Sequence, residues 1–183
     1  SHCDAPSFVT PALRSIVLIG FMGSGKSSVG RLLARELGWP RFDTDQLVVG
    51  ELGLRIPEIF VQLGEARFRE GETQALANLG TATAPAVIVT GGGIVLRPEN
   101  VRRLHELGSL VWLQAEPAVL HKRLARRADR PLLQTPDPAA TIAQLLAERQ
   151  RFYAEAADFA IDTSRLDHGQ VAKAIRDELQ IGR

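Results

Sequence analysis

Residues 15–27 read "SIVLIGFMGSGKS", an apolar run that passes without a linker into glycines, a lysine and a serine. Few folds accommodate that junction. The run has no polar alternation, which suits a strand buried on both faces, as in parallel sheets. From Gly20 to Ser27 the sequence fits G-x-x-x-x-G-K-[ST] without departure. It also stands in the context the pattern needs, after a strand and at the opening of a helix. Glycines at 20, 23 and 25 let the backbone curl so that N–H groups point inward at phosphate oxygens. The start of the following helix adds its positive dipole end to the same place. Lys26 suits the β- and γ-phosphates, and the Ser27 hydroxyl suits Mg²⁺. Gly23, Ser24, Gly25, Lys26, Ser27 and Ser28 are therefore the expected contacts of a nucleoside triphosphate. A glycine-rich turn with a surface lysine is the bland alternative, and it leaves the combination of pattern and context unexplained.

Further along, short apolar runs alternate with long amphipathic stretches. Strands are expected at 15–20, 39–43, 86–90, 109–114 and 158–162. Helices are expected at Lys26–Leu37, Glu65–Leu79, Pro98–Leu107, Pro117–Arg127, Ala139–Ala156 and Asp167–Leu179. Such alternation predicts an α/β fold, a parallel sheet covered by helices on both faces. At 183 residues the chain has the size of one domain with one sizeable core. We expect a flexible tail over 1–13, with Ser1-His2 as an expression scar, followed by a single domain over 14–183. "ADRPLLQTPDP" at 128–138 is the one Pro-rich, polar interruption, and a mobile lid is expected over about 126–138.

Composition excludes several classes. With 45% hydrophobic and 23% charged residues the chain has ordinary globular values. A formal net charge of +1 gives no electrostatic case for a nucleic-acid partner or an acidic membrane surface. No apolar run approaches the ~20 residues that span a bilayer, and the first residues have no signal-peptide h-region. The single cysteine, Cys3, allows no internal disulfide and fits a reducing compartment.

Ligands of parallel sheets bind beyond the carboxyl ends of the strands, so those ends carry the remaining candidates. "FDTD" places Asp43 and Asp45 after the second strand. If the strand runs extended through Phe42 to Asp45, both carboxylates point to one side, toward Lys26 and Ser27. "TGGG" after the third strand offers Gly91, Gly92 and Gly93, where backbone can approach a ligand closely. Arg69 and Glu72 share a helix face at i, i+3. By periodicity alone Phe60 and Phe68 are plain core residues. Arg123, Arg126, Arg127 and Arg130 crowd together near the interruption, and Arg149 comes late in a long helix. Each of these arginines is by default a surface charge. A pair of guanidiniums that converged would suit a carboxylate.

Taken in order, "GFMGSGKS", "FDTD", "IPEIFVQLGEARFREGE", "TGGG", "RPLL" and "ERQRFY" resemble the shikimate kinases over nearly the whole chain from about Arg14. The P-loop alone is shared with many nucleotide kinases, whereas the combination is far more specific. The resemblance implies a P-loop NTPase fold of the nucleoside-monophosphate-kinase type. Its features are a five-stranded parallel sheet in the order 2-3-1-4-5, flanking helices and a mobile lid. It implies ATP-dependent phosphorylation of the 3-hydroxyl of shikimate, with ATP and Mg²⁺, in a cytoplasmic monomer. Lys26 and Ser27 would hold phosphates and metal, Asp43 would act on the metal, and Asp45 would take the proton of the attacking hydroxyl. Arg69 and Arg149 would hold the substrate carboxylate, Gly91–Gly93 would line its pocket, and Phe60 and Phe68 would form the wall. Glu72 would orient Arg69 or a substrate hydroxyl, Arg130 would close over the phosphates, and Arg123 would lie near the adenine.

Thr44 stands where the family often has serine, the region after "RPLL" carries extra prolines, and 162–169 gives no assignable nucleotide contact. Two rivals stay open on sequence. One is a kinase for gluconate or a nucleotide on the same scaffold. The other is a non-catalytic sensor, whose tail at 1–14 would be a trimmed linker to a helix-turn-helix segment. Retention of Asp43 and Asp45 beside Lys26, Ser27 and Arg130 speaks against the sensor.

Overall fold

The computed structural model describes residues 14–80, 84–127 and 135–182. All five apolar runs form strands: Ser15–Ile19 (β1), Arg41–Asp43 (β2), Val87–Val89 (β3), Gly108–Gln114 (β4) and Phe159–Asp162 (β5). They pair in parallel as one sheet in the order β2-β3-β1-β4-β5. Central β1 is buried at every position, because alternate residues feed two different cores. Val17 and Ile19 face one cluster with Ile88, Leu110 and Trp112. Ile16 and Leu18 face the other with Val87, Val89, Val111 and Leu113.

The described residues hold eight α-helices: Lys26–Leu37 (α1), Thr44–Leu52 (α2), Ile56–Gln62 (α3), Glu65–Leu79 (α4), Pro98–Leu107 (α5), Pro117–Ala125 (α6), Pro138–Ala156 (α7) and His168–Leu179 (α8). Val29 and Leu33 of α1 join Val171, Ala172 and Ile175 of α8 on one side. Residues of α4, α5, α6 and α7 fill the other. Helix α1 can lie on the sheet because Gly30 has no side chain: a Cβ there would stand 2.5 Å from Val89 Cγ2.

The six expected helices are present, with α6 ending at Ala125 and α7 starting at Pro138. Two helices were not expected, and the first corrects the extended reading of "FDTD". β2 stops at Asp43, which becomes the N-cap of α2 and accepts the N–H groups of Asp45 (2.9 Å) and Gln46 (3.4 Å) on Oδ1. Asp45 therefore sits in the first turn of a helix and not on a strand two residues along from Asp43. The segment "TDQLVVGEL" hides its helix because adjacent valines and a mid-segment glycine are poor helix formers. Capping and tertiary packing override them. Val48 is buried with Ile59, Phe68 and Ala75 in a third cluster, and a Cβ on Gly71 of α4 would lie 3.0 Å from Val48 Cγ1. Helix α3 opens with proline in its first turn, and Glu58 accepts the Arg55 N–H at 3.2 Å.

Among the described residues no helix is long and apolar enough to cross a membrane. Much of the expected lid, including "RPLL" and Arg130, lies outside the described residues.

Candidate active site

Gly20, Gly23 and Gly25 adopt φ of 146°, 80° and 97°, which L side chains rarely tolerate. The loop so formed is gripped from one side by Lys26, whose Nζ donates to the carbonyls of Gly20 (2.5 Å) and Phe21 (2.9 Å). Turning carbonyls toward the lysine leaves the amide side for a ligand. Helix α1 starts here with no side-chain cap and no acidic residue in its first turn, so the positive end of its dipole remains for an anion. The Ser24 hydroxyl is buried and has no hydrogen-bond partner among the described residues. All three observations fit a phosphate cradle.

A cleft of about 300 Å³ runs from this loop between α2, α3, α4 and α7. Gly23, Gly25, Lys26, Ser27, Ser28 and Asp43 line it on the side of the P-loop. Asp45, Phe60, Phe68, Arg69, Glu72, Gly91–Gly93 and Arg149 line the rest. Among the described residues no group of three or more His, Cys, Asp or Glu forms a metal cage. Ser27 and Asp43 are few, hard oxygen donors, which fits a cation that takes most of its ligands from phosphates and water.

Each of the three consecutive glycines is pressed by a different functional side chain. A Cβ on Gly91 would stand 2.5 Å from Asp45 Oδ1 and 3.2 Å from Glu72 Oε2. On Gly92 it would meet Arg149 Nη1 at 3.4 Å, and on Gly93 it would overlap the Arg69 guanidinium. So α2, α4 and α7 deliver their charged groups onto adjacent residues of one loop. Buried Thr44 ties α2 to it, accepting the Gly91 N–H at 3.2 Å.

Charge is strongly organised here. Arg69 Nη1 bonds the fully buried Glu72 at 2.7 Å, and Nη2 reaches Glu65 at 3.3 Å. Burial works against the Arg69 charge, yet Glu72 and Glu65 hold its pKa above the ordinary value. Burial pushes the Glu72 carboxyl up and Asp45 adds to that, while Arg69 and Arg97 oppose it. The Arg149 guanidinium carbon lies 5.8 Å from the Phe21 ring centroid. Phe60 and Phe68 form a tilted pair at 5.0 Å, and Arg69 sits 5.4 Å from the Phe68 ring. Phe68 is 4% and Phe60 38% exposed, so only Phe68 is the plain core residue that periodicity suggests.

Arg123 lies away from this cleft. It bonds the Gly23 carbonyl (3.3 Å) and both the hydroxyl and the carbonyl of Thr163 (3.1 and 3.0 Å), tying the P-loop to the segment after β5. Burial lowers its pKa, and Asp162 partly offsets that. In the same segment the His168 imidazole lies beside Gly25.

Of the crowded arginines Arg127 lines the cleft, whereas sequence reasoning missed Ile56, which also lines it, as well as Thr44 and Tyr153. Tyr153 is buried, and its hydroxyl donates to the Gly92 carbonyl at 2.5 Å. Its spacing of four from Arg149 placed the two on one helix face and was the available signal. Thr44 had none, because its partner is 47 residues away.

Comparison with known proteins adds an independent result. The family model for shikimate kinase matches residues 22–180. The shikimate kinase of Moorella thermoacetica is 50% identical over 166 residues, 91% of this chain and 94% of that protein. That of Thermodesulfovibrio yellowstonii is 44% identical over 168 residues, 92% and 96% of the two chains. Among solved structures, shikimate kinase from Acinetobacter baumannii in complex with shikimate superposes with a TM-score of 0.85 at 35% identity, covering 92% of this chain and 93% of that one.

Proposed function

This chain belongs to the shikimate kinase family, and on that premise we propose that it transfers the γ-phosphoryl group of ATP to the 3-hydroxyl of shikimate. The observation that carries the acceptor half is the glycine loop, where Arg69 and Arg149 from different helices and Asp45 meet beside the P-loop. A carboxylate lies against paired guanidiniums, and a hydroxyl then reaches Asp45.

The residues divide the work as follows. Gly23, Ser24, Gly25 and Ser28 present donors to the triphosphate, and Lys26 keeps the loop curled while adding charge. Arg123 braces the nucleotide side of the loop toward the adenine, and Arg130 is assigned to the phosphates by its place in "RPLL". Ser27 and Asp43 would hold Mg²⁺, which when bound neutralises charge on the phosphate oxygens. Phe60 and Phe68 wall the acceptor, and Glu72 fixes Arg69. The 3-hydroxyl oxygen attacks γ-phosphorus, the bond to the ADP oxygen breaks in line, and Asp45 takes the hydroxyl proton. Most of the rate enhancement comes from positioning and fixed charge. We further assign the protein to the cytoplasm as a monomer, in line with the family resemblance.

Purified protein given ATP, Mg²⁺ and shikimate is expected to release ADP. Asp45→Ala is expected to lower kcat by roughly 10²- to 10⁴-fold, the usual worth of a general base. A parent protein inert to shikimate but active on gluconate, or on neither, overturns the assignment.

A further inference from the structure

Tyr153 follows Arg149 by one helical turn on α7 and is 1% exposed. Packing alone does not call for its hydroxyl. The ring lies 5.7 Å from Trp112 at 34°, a contact phenylalanine also makes. The hydroxyl instead donates to the carbonyl of Gly92 at 2.5 Å. Gly92 is the residue against which the Arg149 guanidinium rests. Its neighbours carry Asp45 and Glu72 on one side and Arg69 on the other. The loop is thus pinned twice, at Gly91 by Thr44 of α2 and at Gly92 by Tyr153 of α7. Burial pushes the Tyr153 phenol up to about 12, with Arg149 opposing by charge and hydrogen bonding. The group therefore stays protonated, and a donor, at neutral pH.

We propose that Tyr153 is a positioning residue for the acceptor: through the Gly92 carbonyl it fixes the glycine loop beneath Arg149 and Arg69, so that both guanidiniums face one carboxylate. This rests on the assignment of Arg69 and Arg149 to the acceptor made above. A hydroxyl that merely satisfied a core carbonyl would affect stability and leave the two substrates unequal in nothing.

Tyr153→Phe separates these roles, since it keeps the ring and removes the hydroxyl with its bond to the Gly92 carbonyl and its interaction with Arg149. KM for shikimate is expected to rise about fivefold, with KM for ATP within about twofold of the parent and little change in the thermal midpoint. Hydrogen exchange is expected to quicken at the Gly91, Ile94 and Leu96 amides, which are bonded within or across this loop, and not in β1. An unchanged KM for shikimate, or equal changes in both KM values, overturns the proposal. If the parent protein does not use shikimate, the acceptor assignment fails on its own. Loop exchange then decides the anchoring role, and unchanged protection in the variant overturns it.

Discussion

Gly93 has φ −102° and ψ 4°, a conformation alanine adopts freely, so a methyl group there strains nothing in the backbone. The atoms nearest to it all belong to the Arg69 guanidinium, which it would displace. Gly93→Ala is therefore expected to raise KM for shikimate by about tenfold, the equivalent of roughly 1.4 kcal/mol, while KM for ATP holds. Equal changes in both would show a collapsed loop and not a displaced arginine. Glu72 tests a different property. Its folded pKa is raised above the ordinary 4.5, chiefly by burial. A raised pKa contributes stability that is fully present below the unfolded value and is lost as pH rises through the folded one. Glu72→Gln removes that titration. Its stability relative to the parent should therefore increase as pH rises above the ordinary carboxylate value of 4.5, read from urea midpoints, even as it releases Arg69 and costs activity. A difference that stays flat with pH removes the buried-carboxylate account.

At the scale of elements, the turn from β2 into α2 gives Asp43 two tasks, the N-cap of α2 and the proposed metal contact. They separate by substitution, because asparagine caps a helix as well as aspartate and carries no charge. Asp43→Asn is expected to keep the thermal midpoint and lose most of the Mg²⁺-dependent activity. Asp43→Ala should lose both, with about 1 kcal/mol of stability gone with the cap. Equal destabilisation by the two changes would mean that charge, and not capping, holds the turn. α2 also shows why local sequence was a poor guide here. Its valines and glycine argue against a helix, and what stabilises it is Val48 packed onto Gly71 of a helix some 20 residues away. The long amphipathic helices α1, α4 and α5 needed no such help, and their limits coincide with expectation.

Across the whole molecule, two cores sit on opposite faces of one sheet while a third, smaller cluster lies beneath α2, α3 and α4. The cleft runs between the P-loop and this smaller unit, so ligands at its two ends should stabilise the fold together. ADP and shikimate, each at about 100 times its Kd, are each expected to add about 2.7 kcal/mol and raise the midpoint by roughly 5–10 °C. A nucleotide shift unaccompanied by a shikimate shift would leave only the P-loop half of the site standing. Sequence alone determined the parallel strands, six of the eight α-helices among the described residues and the phosphate loop. Those follow from short-range pattern: uninterrupted apolar runs, 3.6-residue periodicity, and glycines where φ must be positive. The ordered motifs further pointed to the residues proposed for the acceptor site. Only the tertiary structure decided that Asp43 caps a helix and Asp45 begins one. It alone showed that Gly91, Gly92 and Gly93 each seat a different charged group, and that Tyr153 holds the middle of that loop. These are contacts across as many as 61 residues of chain, and no local periodicity encodes a distance between helices that meet only after the sheet has formed.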